Sequence, residues 1–139
     1  MKLPITGGCV CGAVRYECSA PSLMMLKCHC RDCQQVTGGP YAAAVILPFP
    51  AFKITKGTLQ RYRTPSFGGG HNQRGFCAVC GSRLTGAESP DKGFIGVLAA
   101  SLDDPAIFKP QMDIFVADAQ PWDLMDEHLP KHQQYMPRG

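Results

Sequence analysis

Short stretches in which apolar and polar side chains alternate, and short apolar runs, recur along the chain. Alternation from Ala13 to Cys18 predicts a half-buried β-strand. The apolar runs Leu23–Lys27 and Tyr41–Leu47 predict two further strands. No segment keeps the apolar spacing of an amphipathic helix over ~10 residues, so only a brief helical turn is expected, at Arg31–Val36. The pattern predicts a mainly β fold.

The middle of the chain carries the pattern of a β-hairpin. Phe52–Thr55 and Leu59–Arg63 bracket the turn sequence Lys56–Thr58, which predicts that the two segments pair with each other. The remaining segments with apolar side chains are short: Arg74–Phe76, Ser82–Thr85, Phe94–Ala99 and Ile114–Ala117. Fifteen glycines and twelve prolines in small clusters favour many tight turns between them.

Length and charge exclude several classes of protein. A chain of 139 residues is expected to form one domain, residues 1–139. A net charge of +3 without any block of like charge argues against a nucleic-acid surface. The longest apolar run, Tyr41–Leu47, is far shorter than the ~20 residues that cross a bilayer, and the first residues lack the apolar core of a secretory signal. A soluble, cytoplasmic protein without a membrane partner is expected.

Eight cysteines change the picture, because a reducing cytosol disfavours disulfides and favours metal binding. Two short pairs, Cys9–Cys11 and Cys77–Cys80, lie far apart in the sequence and are flanked by glycines. Pairs of this kind assemble closed tetrahedral zinc sites, in which the glycines let the backbone turn around the sulfurs. We therefore predict a structural zinc ion at these four residues, termed here the four-cysteine cluster.

Cys28, Cys30 and Cys33, termed here the three-cysteine cluster, lie within six residues of one another. Three protein ligands with one open position are typical of a reactive zinc site. The fourth ligand is Cys18, His29, a water molecule or a substrate. His29 lies between two of the cysteines, so its side chain is expected to point away from a shared metal. Cys18 either closes a second structural site or is buried as a small apolar side chain.

The donor set indicates which chemistry the three-cysteine cluster suits. Three thiolates make zinc a weak Lewis acid for generating hydroxide, compared with histidine-rich sites. A thiol bound at the open position would instead be held as a thiolate. The cluster therefore points to a low-molecular-weight thiol and a small carbonyl compound as substrates.

Three motifs together resemble the family of glutathione-dependent formaldehyde-activating enzymes, which includes centromere protein V. The first is Gly7–Tyr16, the second is Cys28–Gln34 followed by Thr37–Gly38, and the third is Arg74–Ser82. The end of the family pattern, a proline, an aromatic strand and a tryptophan, is matched by Pro110, Phe115 and Trp122. The resemblance places the motif core at residues 7–122. Where many members have a histidine before the aromatic strand, this sequence has Asp113.

The resemblance implies an Mss4-like fold, with small antiparallel sheets held together by zinc. It also implies a structural zinc ion in the four-cysteine cluster and a labile catalytic zinc ion at Cys28, Cys30 and Cys33. The implied activity is that of a carbon–sulfur lyase that joins glutathione and formaldehyde into S-hydroxymethylglutathione. The alternative is a non-catalytic zinc module that carries a thiol or binds a protein or nucleic acid.

An anionic tripeptide needs cationic or backbone-amide partners, which makes three cations of interest. Lys56, Arg63 and Arg74 are candidates for the glutathione carboxylates, with ordinary surface charge as the alternative for each. The glycine-rich segment Gly68–Gly70, followed by His71, is either a rim over the zinc site or a plain solvent loop.

Overall fold

The computed structural model describes residues 2–136, which contain ten β-strands and one α-helix. In chain order these elements are β1 Ile5–Gly8, β2 Arg15–Cys18, β3 Met24–Cys28, α1 Arg31–Thr37, β4 Ala42–Pro48, β5 Phe52–Lys56, β6 Gln60–Pro65, β7 His71–Phe76, β8 Arg83–Ser89, β9 Phe94–Leu98 and β10 Asp113–Ile114. Short 3₁₀ helices fill several connections. The prediction of a mainly β protein is confirmed.

The strands form two sheets. The smaller has the order β1-β2-β5, and the larger has the order β10-β3-β4-β9-β8-β7-β6. Every neighbouring pair is antiparallel except β10 and β3, which run parallel. That parallel pair sets Ile114 beside Cys28 and so carries the late part of the chain to the three-cysteine cluster.

Buried side chains from both sheets share the main apolar core. Tyr16 of β2, Val45 and Leu47 of β4, and Ile95 and Val97 of β9 are all at most 1% exposed. Alternation along β2 puts Tyr16 and Cys18 inside, as the sequence pattern predicts. Buried apolar surface contributes about 25 cal/mol per Å², so this shared core holds the two sheets together.

A second, smaller core lies beneath the three-cysteine cluster. It consists of Leu26, Ile46, Ile114 and Phe115, and Cys28 and Cys30 pack against it. These side chains come from β3, β4 and β10 and the residue that follows β10. Two residues of the cluster, Cys28 and Cys30, therefore rest on an apolar floor.

Helix α1 begins and ends where the sequence places its signals. The Cys30 sulfur caps the first turn by accepting a hydrogen bond from the backbone N–H of Cys33, at 3.3 Å. Gly38 ends the helix in a left-handed conformation with φ of 72°. The predicted turn Arg31–Val36 is confirmed, and it extends by one residue.

The predicted hairpin between Phe52–Thr55 and Leu59–Arg63 is wrong. Strand β5 pairs with β2 in the small sheet, whereas β6 pairs with β7 in the large one. The turn sequence at Gly57 therefore crosses from one sheet to the other instead of folding a strand back on itself. The local turn signal was real, but pairing with more distant strands decided which partners the segments found. Strand β1, which the sequence pattern did not reveal, supplies the edge of the small sheet.

No helix within residues 2–136 is long and apolar enough to span a membrane.

Gly57 offers a test of how tightly the chain packs where it crosses from the small sheet to the large one. Its φ is +75°, and a Cβ placed there would lie 2.0 Å from the carbonyl oxygen of Ala13. We expect Gly57→Ala to lower the free energy of unfolding by about 2–5 kcal/mol, because left-handed strain and a backbone clash add. Gly93→Ala is the control, since its φ is +83° but nothing lies within 4 Å of the added Cβ. Urea denaturation should show a clearly smaller loss for the control, and equal losses would contradict the packing argument.

Candidate metal centres and the buried charges beside them

The four-cysteine cluster brings together sulfurs from the two ends of the motif region. The sulfurs of Cys9, Cys11, Cys77 and Cys80 all lie within 4.8 Å of one another. Cys9 and Cys11 are 3.6 Å apart, and Cys11 and Cys77 are 3.8 Å apart. Zinc–sulfur bonds of ~2.3 Å in a tetrahedron require sulfur separations of about 3.8 Å. The donor set and its spacing therefore fit a closed zinc site.

Each cysteine pair lies on a tight turn that ends in a left-handed glycine. Gly12 has φ of 78° and Gly81 has φ of 79°. The turns close through hydrogen bonds from Gly12 N–H to Cys9 C=O and from Gly81 N–H to Cys77 C=O, at 3.2 and 2.8 Å. The backbone N–H of Val14 donates to the Cys9 sulfur at 3.2 Å. Backbone amides thus point at the sulfurs, an arrangement that stabilises thiolate ligands.

The three-cysteine cluster is built from the end of β3 and the first turn of α1. The sulfurs of Cys28, Cys30 and Cys33 lie within 4.8 Å of one another, and no fourth histidine, cysteine or carboxylate of the described residues joins them. Cys18 is fully buried elsewhere, where its thiol donates to the carbonyl of Ala20 at 3.4 Å. Of the two protein residues considered as a fourth ligand, Cys18 is therefore excluded. The cluster fits a metal with one position left for a non-protein ligand.

Ionisation of all three thiols is unfavourable in the absence of a cation, because the thiolates would repel one another. Hydrogen bonds from the thiols of Cys28 and Cys33 lower the pKa of the Cys30 thiol, and the positive charge of Arg74 lowers it further. Hydrogen bonding within the same cluster raises the pKa of the Cys28 thiol well above its ordinary value. A divalent cation removes this conflict by binding all three as thiolates.

His29, the other candidate fourth ligand, turns away from the sulfurs as predicted. Its ring is fully buried, with Nε2 2.7 Å from Asp113 and Nδ1 2.5 Å from Asp123. Both ring nitrogens therefore lie within hydrogen-bond distance of a carboxylate oxygen. Lys131 donates to the other oxygen of Asp113 at 3.0 Å. His29, Asp113, Asp123 and Lys131 thus form one hydrogen-bonded network, termed here the His29 network.

The backbone of His29 is held as firmly as its ring. Its N–H donates to the carbonyl of Ile114 at 3.0 Å, and its carbonyl accepts from the Gln34 side chain at 2.7 Å. Burial opposes ionisation of Asp113, but hydrogen bonds from His29 and Lys131 outweigh it and hold the pKa of Asp113 below its ordinary value. The residue between Cys28 and Cys30 is thus fixed at every polar atom, which positions the sulfurs on either side of it.

Sequence reasoning missed the partners of His29. A carboxylate at position 113, between the apolar residues Met112 and Ile114, was the available signal, because such a residue is buried only when it is paired. Asp123 had no comparable signal. Its neighbour Trp122 is 62% exposed, so the aromatic residue of the motif lies on the surface and the carboxylate beside it is the buried one.

Arg74 is a further buried ionisable residue near the three-cysteine cluster. Its side chain is 7% exposed, and Nη1 lies 3.9 Å from the Cys33 sulfur. Its Nε is buried and has no hydrogen-bond partner, and no carboxylate of the described residues forms an ion pair with the guanidinium. Lys56 and Arg63, the other two cations considered for substrate binding, are exposed. Only Arg74 therefore combines burial with proximity to the sulfurs.

The glycine-rich loop after β6 lies over an aromatic group. Phe67 stacks edge-on against Phe115 at 5.5 Å and lies 6.1 Å from Tyr135, and Phe115 belongs to the small core against which Cys28 and Cys30 pack. Three consecutive glycines with positive φ, Gly68–Gly70, form the turn itself. The loop is thus connected to the floor of the three-cysteine cluster, which favours the rim interpretation over a plain solvent loop.

Comparison with known proteins agrees with the motifs and their geometry. The profile of the family described as glutathione-dependent formaldehyde-activating enzyme matches residues 4–118. The chain belongs to this family. A crystal structure of a Rhodobacter sphaeroides protein is similar at a TM-score of 0.57, with 21% sequence identity over 91% of this chain and 98% of the other. At that identity the likeness extends to the fold alone.

The His29 network predicts a large effect from a residue remote from every cysteine in sequence. We expect Asp123→Ala to lower the free energy of unfolding by about 1–3 kcal/mol, because it leaves the buried Nδ1 of His29 without its hydrogen-bond partner. Glu127→Ala, an exposed carboxylate on the same segment, should stay within about 0.5 kcal/mol of the wild type. Chemical denaturation at neutral pH measures both. Similar small losses would show that the network is not holding this segment.

Substitutions in the two cysteine clusters should have different effects on folding. Cys80→Ser should unfold or aggregate the protein, because it opens the site that joins Cys9–Cys11 to Cys77–Cys80. Cys30→Ser should keep the fold, since serine is itself a good helix cap, and should lose only the second metal ion. Native mass spectrometry should find one to two zinc ions in the wild type and at most one in Cys30→Ser. Comparable losses of melting temperature in the two variants would make the three-cysteine cluster structural.

Proposed function

We propose that the protein is a zinc-dependent carbon–sulfur lyase that adds a glutathione-like thiol to a small aldehyde, as in the formation of S-hydroxymethylglutathione. In this proposal the four-cysteine cluster holds a structural zinc ion, and the three-cysteine cluster holds a labile catalytic one. Family membership supports the pairing of glutathione with formaldehyde. The proposed location is the cytoplasm.

The observation that carries the proposal is the composition of the three-cysteine cluster. Three sulfurs converge within 4.8 Å, and the described residues supply no fourth ligand. A closed site needs four protein ligands, whereas a site that reacts with a small molecule keeps one position free. When bound here, zinc would supply a position at which an incoming thiol is held as a thiolate.

The chain's own residues provide position and shielding. The His29 network and the small apolar core fix Cys28 and Cys30, so the site is rigid before the substrate arrives. Holding two reactants side by side can supply much of a barrier reduction, up to about 7–11 kcal/mol in favourable cases. The aromatic group of Phe67, Phe115 and Tyr135 borders this floor.

Glutathione binding tests whether sulfur is the contact atom. The zinc-loaded protein should bind glutathione at least tenfold more tightly than S-methylglutathione, which keeps both carboxylates but offers a neutral thioether. Cys30→Ser should remove that preference while retaining the four-cysteine cluster. Isothermal titration calorimetry at matched salt measures both affinities, because exposed carboxylates contribute salt-sensitive terms that must be held constant.

Equal affinity for the two ligands would show that the thiol does not reach the three-cysteine cluster, and the proposal would be wrong. A second measurement separates catalysis from carriage. The rate of S-hydroxymethylglutathione formation should rise in proportion to wild-type enzyme and not to Cys30→Ser. Tight glutathione binding without any such rate would identify a thiol carrier instead of an enzyme.

A further inference from the structure

We propose that Arg74 binds the oxygen that becomes negatively charged when the thiol adds to the aldehyde. This inference rests on the proposed function and assigns the second half of the reaction to a named side chain. It makes Arg74 a catalytic residue, in contact with the reacting atoms, and not a residue that recognises the carboxylates of glutathione.

The first support is that the guanidinium is buried with no carboxylate partner among the described residues and with the Cys33 sulfur as an acceptor. Arginine keeps its charge under all ordinary conditions, and burying an unpaired charge is costly. Elsewhere in the described chain buried ionisable side chains hydrogen-bond to one another, as His29 does with Asp113 and Asp123. Four buried polar side-chain atoms of the described residues lack a partner: Thr64 Oγ1, Thr85 Oγ1, Asp123 Oδ1 and Arg74 Nε. Of these, only Arg74 Nε belongs to a side chain that also contacts a sulfur of the three-cysteine cluster, so it is the donor that a ligand at the cluster can satisfy.

The second support is where the guanidinium lies. Arg74 extends from β7 over β8, where a Cβ on Gly86 would lie 3.8 Å from Nη1, and Nη1 reaches to 3.9 Å from the Cys33 sulfur. Because position 86 is a glycine, no side chain stands between the guanidinium and this face of the strand. The cation thus borders the three-cysteine cluster itself, whereas Lys56 and Arg63 are exposed side chains.

Distance from the sulfur decides which anionic oxygen fits. In an adduct of thiol and aldehyde the oxygen is attached to the carbon that is bonded to sulfur, so it must lie close to a thiol seated at the cluster. The carboxylates of glutathione are separated from its sulfur by six or more bonds, and they are strongly hydrated groups that an exposed cation can serve. A buried guanidinium beside the cysteines matches the adduct oxygen.

The step is redox-neutral and balances as follows. The thiol gives its proton to solvent, and the sulfur lone pair forms the carbon–sulfur bond. The π electrons of the C=O bond move to oxygen, where Arg74 N–H groups donate to the new anion. Water then protonates this oxygen to give the hydroxymethyl thioether. Removing one hydrogen-bond donor to an oxyanion typically lowers the rate by ~10²–10³-fold, because the donor stabilises charge that appears only in the transition state.

A binding experiment tests the oxygen site without relying on catalysis. Mercaptoacetate carries an anionic oxygen near its sulfur, whereas its methyl ester has the same skeleton without the charge. Both thiols are titrated into the zinc-loaded wild type and into zinc-loaded Arg74→Met. The substitution should lower the affinity for mercaptoacetate by about 10- to 100-fold and leave the affinity for the ester unchanged. Each thiol is compared with itself, so differences in thiol basicity cancel. Arg63→Met is the matched control, an exposed arginine on the neighbouring strand.

The catalytic experiment distinguishes the adduct oxygen from a glutathione carboxylate. With formaldehyde as partner, Arg74→Met should reduce kcat/KM by about 10²-fold for glutathione and equally for glutathione esterified at both carboxylates. Arg74→Lys should recover part of the loss, since it restores the charge without the forked donors. Loss of the Arg74 effect with the ester would assign Arg74 to a carboxylate and overturn the proposal.

Stability and zinc content exclude a merely structural role. Arg74 has no carboxylate partner, so Arg74→Met should leave the melting temperature close to that of the wild type, and zinc per chain should match the wild type. A lowered melting temperature with unchanged relative affinities for the two mercaptoacetate probes would overturn the inference. If the wild type forms no adduct at all, the proposed function fails, while the mercaptoacetate titration still decides whether Arg74 is an oxygen-binding group.

Discussion

The fold depends on bringing sulfurs from distant parts of the chain within a few ångströms of one another. Cys9 and Cys11 follow the first strand, whereas Cys77 and Cys80 join two strands of the other sheet, and all four sulfurs lie within 4.8 Å. Thiolates at that distance repel, so the arrangement is favourable only around a cation. The closure of this site and the apolar core shared by the two sheets act on the same junction, since Cys9 and Cys77 are both buried within that core.

Much of this could be read from the sequence, because cysteine spacing and flanking glycines are local. Gly12 and Gly81 adopt the left-handed conformation that the turns require, and the three-cysteine cluster ends in the short helix expected after Cys30. Strand partners that lie far apart in the sequence could not be predicted in this way. The hairpin expected around Gly57 does not form, because β5 pairs with β2 in the small sheet and β6 pairs with β7 in the large one.

The same limit applies to the site. His29 was expected to point away from the sulfurs, and it does, but nothing local identified Asp123, which lies 94 positions further along the chain, as its partner. Arg74 was one of three cations considered for substrate binding, and sequence alone gave no reason to separate it from Lys56 and Arg63. Burial distinguishes Arg74 from the other two, since its Nη1 lies beside the Cys33 sulfur of α1 and faces Gly86 of β8.

His29 and Arg74 both lie buried near the three-cysteine cluster, and their different partners distinguish their roles. His29 has a carboxylate on each ring nitrogen, so its ring has no position left for a ligand. Arg74 keeps an unused donor and lacks a carboxylate partner. A fold that had only to be stable would pair this charge or replace it by an apolar side chain. Because Nε is left without an acceptor beside the sulfurs, we assign to it an oxygen that is present only during the reaction.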